Sequence, residues 1–138
     1  MKVEQSLMVL ERYINRRWRE LPGDACSLSY VEYDYLETLG EKGAMRLSDL
    51  AEQMRVSKPT ASNMVGRLEH KGLVSRHSCP EDGRAVSLVL SPKGQELLDI
   101  DRKFYSQLIG ELLQGISSED QSSLEELLTR MVTQTSGR

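Results

Sequence analysis

The sequence predicts a mostly α, α+β chain built around a helix-turn-helix with a small β-hairpin behind it. Three observations carry that prediction. Leu50, Ala51 and Met54 fall at helical spacing, Arg55-Val56-Ser57 interrupts, and Ala61, Met64, Val65 and Leu68 resume the period. A three-residue break between two short helices is the spacing of a helix-turn-helix. Next, two β-prone runs, Leu73 to Cys79 and Ala85 to Leu90, flank the turn cluster Pro80-Glu81-Asp82-Gly83. Finally, long apolar-periodic stretches stand at both ends of the chain.

In chain order, residues 5 to about 20 place Leu7, Leu10, Ile14, Trp18 and Leu21 on one helical stripe, with Arg16, Arg17 and Arg19 mostly outside. Leu21-Pro22-Gly23-Asp24 ends that helix. Ser29 with Glu32 forms a capping box for the next, which carries Val31, Tyr35, Leu36 and Leu39 inward until Gly40 to Gly43 break it. In the second helix of the motif Ser57 is the cap and Pro59 falls in the first turn, where an N–H has no helical partner. Lys71 and Gly72 supply a basic last turn and a stop.

With Ala61, Met64, Val65 and Leu68 inward, that helix turns Lys58, Ser62, Asn63, Gly66, Arg67 and His70 outward. Such a face suits a major groove. Asn63 and Arg67 have the side chains that read base edges, and the helix start at Ser57 to Thr60 suits a phosphate. An ordinary amphipathic helix with a solvated face has the same pattern, so the hairpin decides. Arg84 lies beside its tip, and helix, turn, helix and basic-tipped hairpin together make the winged-helix layout. Ser91-Pro92 then caps and starts a long helix bearing Leu97, Leu98, Phe104, Leu108, Ile109, Leu112 and Leu113 as far as Gly115. Ser117 with Asp120 caps a last helix carrying Leu124, Leu127, Leu128 and Met131, before a polar tail beyond Thr133.

Composition fits one globular domain: 138 residues, 38% hydrophobic and 28% charged. A net charge of −3 looks unsuited to nucleic acid until it is divided. From Arg55 to Arg84 the six bases Arg55, Lys58, Arg67, Lys71, Arg76 and Arg84 meet only Glu69, Glu81 and Asp82, so this window carries +3 and the rest −6. Positive charge is gathered where phosphates would lie.

The run Asp82-Gly83-Arg84-Ala85-Val86-Ser87-Leu88-Val89-Leu90-Ser91-Pro92-Lys93-Gly94 resembles the wing signature of the MarR family of bacterial transcription regulators. Ser57-Lys58-Pro59-Thr60-Ala61-Ser62 is similar to the start of that family's recognition helix, Leu68-Glu69-His70-Lys71-Gly72-Leu73-Val74 to its passage into the wing, and Leu28 to Leu36 to the opening of its second helix. Arg46 departs from the family, which often has a hydroxyl cap there. The resemblance implies one MarR-like domain over 1–138, with a winged helix-turn-helix at 28–94 and dimerisation helices at 1–21 and 95–135. It implies a cytoplasmic homodimer, expected to be a repressor, on double-stranded DNA. The implied DNA-binding set is Ser57, Lys58, Pro59, Thr60, Ser62, Asn63, Arg67, Arg76, Asp82 and Arg84. Arg84 is expected in the minor groove, its guanidinium held by Asp82. The surplus of apolar helix at the two ends argues independently for a second copy.

Other classes find little support. With only His70 and His77, no Ser-His-acid order, phosphate loop or carboxylate pair stands out, so an enzyme is not expected, nor a cofactor. His77 and Cys79 share a strand face but lack further ligands for a metal. No apolar run is long enough for a bilayer, and the N-terminus does not read as a signal peptide. Cys26 and Cys79 form no CxxC pair, and the first helix has no cysteine where the family's peroxide sensors carry one, so a thiol-sensing regulator is an alternative only. A winged helix used as a protein-interaction module is another. The resemblance also implies a small aromatic or phenolic effector, for which Tyr13, Arg17, Trp18, Tyr30 and Tyr33 are the candidate lining, although packing alone explains each of them.

Overall fold

The computed structural model describes residues 1–23 and 25–136. Its elements run α1 (Val3–Arg19), a 3-10 turn (Ala25–Ser27), α2 (Tyr30–Lys42), β1 (Met45–Arg46), α3 (Leu47–Met54), α4 (Lys58–His70), β2 (Val74–Ser78), β3 (Val86–Leu90), α5 (Pro92–Leu112) and α6 (Ser118–Thr133). Two compact units result, Met1–Phe104 and Tyr105–Arg138.

In the first unit the expected local signals do what their chemistry suggests. Ser29 and Glu32 close a reciprocal capping box on α2, and Ser57 Oγ accepts the Thr60 N–H at the start of α4. Pro92 opens α5 behind Ser91, whose Oγ accepts the Gly94 N–H at 3.0 Å. Leu36, Leu39, Leu50, Ala61, Val65, Leu68, Leu88 and Leu98 form the centre of one core.

Three expectations are corrected. Gly40 does not break α2, which runs on to Lys42 and ends at Gly43 with φ 73°. Gly40 is instead a close-packing position: a Cβ there would lie 2.7 Å from Leu98 Cδ1. Val31 points outward, half exposed, and Glu32 is buried in its stead. The hairpin is not alone, because Met45–Arg46 pairs antiparallel with Leu88 and Ser87 to give the strand order β1-β3-β2. A two-stranded ribbon is marginal in water, and the third strand joins the wing to the residue that starts α3. Arg46 accordingly makes no side-chain cap; strand pairing holds that end of the helix.

In the second unit, α6 is capped by Ser117, whose Oγ accepts the Asp120 N–H. Leu124, Leu127, Leu128 and Met131 follow at helical spacing, and all four are exposed. No residue of α1 is buried either, and Val3, Leu7 and Leu10 lie open along it.

Candidate nucleic-acid interface

Local chemistry fixes α4 at its start. Arg55 turns the chain in the left-handed region (φ 56°, ψ 43°), and the Val56 N–H returns to the Ala51 carbonyl. For a residue with a Cβ that conformation costs about 1 kcal/mol, held here by the packing on both sides. Ser57 Oγ takes the Thr60 N–H at 3.2 Å and donates to Thr60 Oγ1 at 2.8 Å. Pro59 has no N–H and that of Ala61 is bonded to the Ser57 carbonyl, so the first turn offers an anion the N–H of Lys58 and its ammonium.

Two long-range contacts that the sequence did not reveal fix the rest. At the C-terminal end, Lys71 Nζ lies 2.6 Å from Glu32 Oε2, tying α4 to the first turn of α2. Burial acts to raise the Glu32 pKa, but the hydrogen bond from Lys71, the Ser29 N–H, the lysine charge and the Ser29 hydroxyl outweigh it, so the carboxyl is held below its ordinary value. A depressed carboxylate adds stability above the unfolded-chain pKa and loses it as pH falls through the folded value. Glu32→Gln is therefore expected to lower unfolding free energy by about 1 kcal/mol at pH 7. It should also flatten the fall in stability below about pH 4.3. Urea denaturation at pH 7 and pH 3.5 checks both; equal losses at the two pH values would remove the ionised pair from the account.

Arg76 is the second contact. It leaves β2 and reaches back over α4, with Nε 2.6 Å from Glu69 Oε1, Nη2 2.9 Å from the Ser62 carbonyl and Nη1 3.3 Å from Ser62 Oγ. Its guanidinium passes Gly66, where an added Cβ would stand 3.9 Å from Nη2. The expected DNA-contact role of Arg76 thus meets a side chain already engaged within the fold.

The outward face of α4 keeps Lys58, Asn63, Arg67 and His70 exposed, with Ser62 half-buried beneath Arg76. At the wing, β2 and β3 pair from Val74↔Leu90 to Ser78↔Val86, and the Cys79 N–H continues to the Ala85 carbonyl. Asp82 Oδ1 accepts the Arg84 backbone N–H at 3.0 Å. The aspartate thus shapes the tip through the main chain of Arg84 and makes no ion pair with its guanidinium among the described residues. Arg84 is exposed. An exposed pair, Arg46 with Glu81 at 3.7 Å, adds little.

The candidate effector residues are each engaged in contacts within the fold. Trp18 stands edge-on to Tyr33 at 5.4 Å and to Phe104 at 5.0 Å. The Tyr33 hydroxyl donates to the Ala25 carbonyl. Arg17 donates to Tyr13 Oη at 2.9 Å, and the exposed Tyr30 donates to Asn15 at 2.7 Å. Cys79 is buried at the tip end of the β2–β3 ladder, and the side chain of Cys26 lies outside the described residues. Among the described residues no cluster of three or more His, Cys, Asp or Glu is placed to hold a metal, and no helix is long and apolar enough to cross a membrane.

Known proteins match this arrangement. The family model of the MarR family matches residues 28–86, from the start of α2 into β3. The chain is 31% identical over 105 residues to the uncharacterized HTH-type transcriptional regulator YxaD of Bacillus subtilis, covering 76% of this chain and 73% of YxaD. It is 28% identical over 109 residues to a second such regulator of that organism, YdgJ, covering 78% of this chain and 66% of YdgJ. Among solved structures, a MarR-like transcriptional regulator from Thermotoga maritima superposes with a TM-score of 0.75 at 26% identity, covering 100% of this chain and 99% of that one. Streptococcus pneumoniae FabT, solved in complex with DNA, shares the fold with a TM-score of 0.77 at 20% identity, over 94% of this chain and 92% of FabT. Helix-turn-helix, three-stranded wing and sequence relatives agree, and the chain belongs to the MarR family of winged helix-turn-helix transcriptional regulators.

Proposed function

We propose that the chain is a cytoplasmic repressor that binds a pseudo-palindromic operator as a homodimer, with half-sites about 34 Å apart. The observation that supports it is a division of labour on and around α4. Lys71 ties the C-terminal end of the helix to Glu32 and Arg76 grips its flank at Ser62 and Glu69, while the side chains of Lys58, Asn63 and Arg67 on its open face make no hydrogen bond or ion pair within the described residues. In this reading Ser57, Lys58, Pro59 and Thr60 meet a phosphate and Asn63 and Arg67 read base edges. Arg84 enters the minor groove from a tip shaped by Asp82. The unpartnered apolar faces of α1 and α6 are where a second copy docks. Release is by a small aromatic or phenolic effector near Tyr13, Arg17, Trp18, Tyr30 and Tyr33, of which Arg17, paired with Glu20 at 3.9 Å, is the basic member.

The two arginines test the reading because they fail differently. Arg67→Ala is expected to cost about 1 to 3 kcal/mol on operator DNA and to relax discrimination at one position of each half-site. Arg84→Ala is expected to weaken operator and scrambled duplex alike and to reduce the slope of log affinity against log salt by about 1. Binding to both duplexes across a salt series is the measurement. If Arg84→Ala spares scrambled DNA while Arg67→Ala weakens both equally, the roles are reversed; no duplex binding at all leaves the interaction-module reading.

A further inference from the structure

Arg46 is the N-cap of α3, a position that favours Ser, Thr, Asp or Asn, and by local chemistry it fills that position poorly. Its side chain makes no cap, and it sets a cation at the positive end of the helix. A residue that breaks two local rules is explained by what else it reaches. Strand pairing sets its direction. Arg46 stands opposite Ser87, and Ser87 opposite His77, so these side chains form one row across β1, β3 and β2 and leave the same face of the sheet. The next row, Met45, Leu88 and Arg76, leaves the other face, where Leu88 is fully buried and Arg76 reaches α4. Arg46 and His77 are exposed and Ser87 is half-buried. Neither the Arg46 guanidinium nor the Ser87 hydroxyl makes a hydrogen bond among the described residues. The ion-pair partner of Arg46 is Glu81, 3.7 Å away in the loop that joins β2 to β3, so the guanidinium stands beside the wing tip.

We infer that Arg46 is a further DNA-binding residue, which leaves Glu81 to take, together with the Ser87 hydroxyl, a backbone phosphate on the side of the wing turned away from α4. The inference rests on the DNA-binding reading above and adds to it a contact outside α4 and the wing tip. A tip inserted in a minor groove has a phosphate strand on either side, and the Arg46 row is the face that meets the strand far from α4. The N–H fork of a guanidinium suits phosphate oxygens, and a serine hydroxyl can donate to the same group. Glu81 is exposed, and an exposed pair of this length is readily given up. Until it is displaced, its carboxylate competes with the phosphate and limits affinity.

Arg46→Ser tests this because the fold and the DNA should respond with opposite signs. The serine supplies a capping hydroxyl, so the thermal midpoint should rise by about 3 °C. Affinity for an operator selected from random duplexes with the full chain should fall about 5-fold per half-site at roughly 0.15 M salt, the counterion release of one phosphate contact. The salt slope should fall by about 1 per half-site, and scrambled duplex should weaken equally. Glu81→Gln should tighten binding by up to about 5-fold in wild type and lose most of that gain in the Arg46→Ser protein. Replacing operator phosphates one at a time by methylphosphonates should reveal one position per half-site that matters to wild type and to Arg84→Ala but not to Arg46→Ser. An Arg46→Ser protein that binds like wild type, an unchanged slope, or an equal gain from Glu81→Gln in both backgrounds would each overturn the inference while leaving DNA binding in place. If Arg46→Ser lowers the midpoint and the affinity together, Arg46 acts through the fold and the inference fails. If inorganic phosphate at constant ionic strength raises the midpoint of wild type and not of Arg46→Ser, with equal DNA affinity in the two, the row takes free phosphate and the DNA contact is overturned. If wild type binds neither operator nor scrambled duplex, the DNA-binding reading falls and this inference with it.

Discussion

Leu127→Asp combined with Leu128→Asp should convert the protein to a monomer and lower operator affinity by about 10²- to 10⁴-fold, the advantage of engaging two half-sites through one tethered pair. Both leucines lie exposed on α6, at 54% and 43%, within a stripe that continues through Leu124 and Met131. Four large apolar residues on one open helical face exceed what scattered surface hydrophobics explain. Charge on that stripe removes the apolar area a second copy would cover and leaves the buried core of the first unit untouched. Sedimentation velocity and operator titration on the same samples give the answer. A variant that is monomeric yet binds operator like wild type would separate dimerisation from recognition, and one that remains dimeric would place the interface elsewhere. Scrambled DNA is the internal control, since in the proposed reading each α4 and wing would keep its own phosphate contacts.

Gly94→Ala should be the most damaging single-methyl change in the first unit. A Cβ at Gly94 would lie within van der Waals overlap of the Leu73 carbonyl oxygen and 3.2 Å from its carbon. That carbonyl is not free to withdraw, because it accepts the Ser91 N–H at 2.9 Å, and Ser91 Oγ is bonded in turn to the Gly72 carbonyl at 2.6 Å. The start of α5 is thereby laced to the junction between α4 and β2. Separating backbone from backbone is expected to cost about 3 kcal/mol, at the upper end of overpacking penalties, and to lower the thermal midpoint by about 10 °C for a chain of this size. Gly40→Ala is the comparison: its clash is with Leu98 Cδ1, a side-chain methyl, and involves no backbone atom. Thermal denaturation of both variants ranks them, and a Gly94→Ala protein as stable as wild type would mean that α5 starts elsewhere.

What the sequence made legible, and what it hid, divides along the range of the forces involved. Ser29 with Glu32, Ser57, Ser91 with Pro92, and Ser117 are caps whose partners lie within three residues, so the spacing alone identifies them. The open face of α4 follows equally directly from the period of Ala61, Val65 and Leu68. The failures are cases where a distant partner sets the outcome. Gly40 has the composition of a helix breaker, yet Leu98 and Leu90 close in on its bare Cα and the helix continues. Glu32 is recognisable as half of a capping box but not as a buried carboxylate, because its counter-charge is Lys71, 39 residues on. Arg76 counts correctly toward local positive charge, but only the three-dimensional fold shows that it is spent on Ser62 and Glu69. Two residues, Met45 and Arg46, are too few to have a β pattern of their own and become a strand because β3 offers an open edge.

That edge strand has a consequence for how the binding surface can change over evolutionary time. β3 is bonded on both sides, to β1 and to β2, so its register is pinned independently of the loop that joins it to β2. Pro80 to Arg84 can then lengthen, shorten or exchange residues without slipping the ladder, since the pairing does not depend on the turn for its alignment. Variation in the wing tip, the proposed minor-groove reader, is cheap while variation in α4, clamped by Arg76 and Lys71, is not. Descendants of this chain would be expected to acquire new flanking-sequence preferences sooner than new half-site cores.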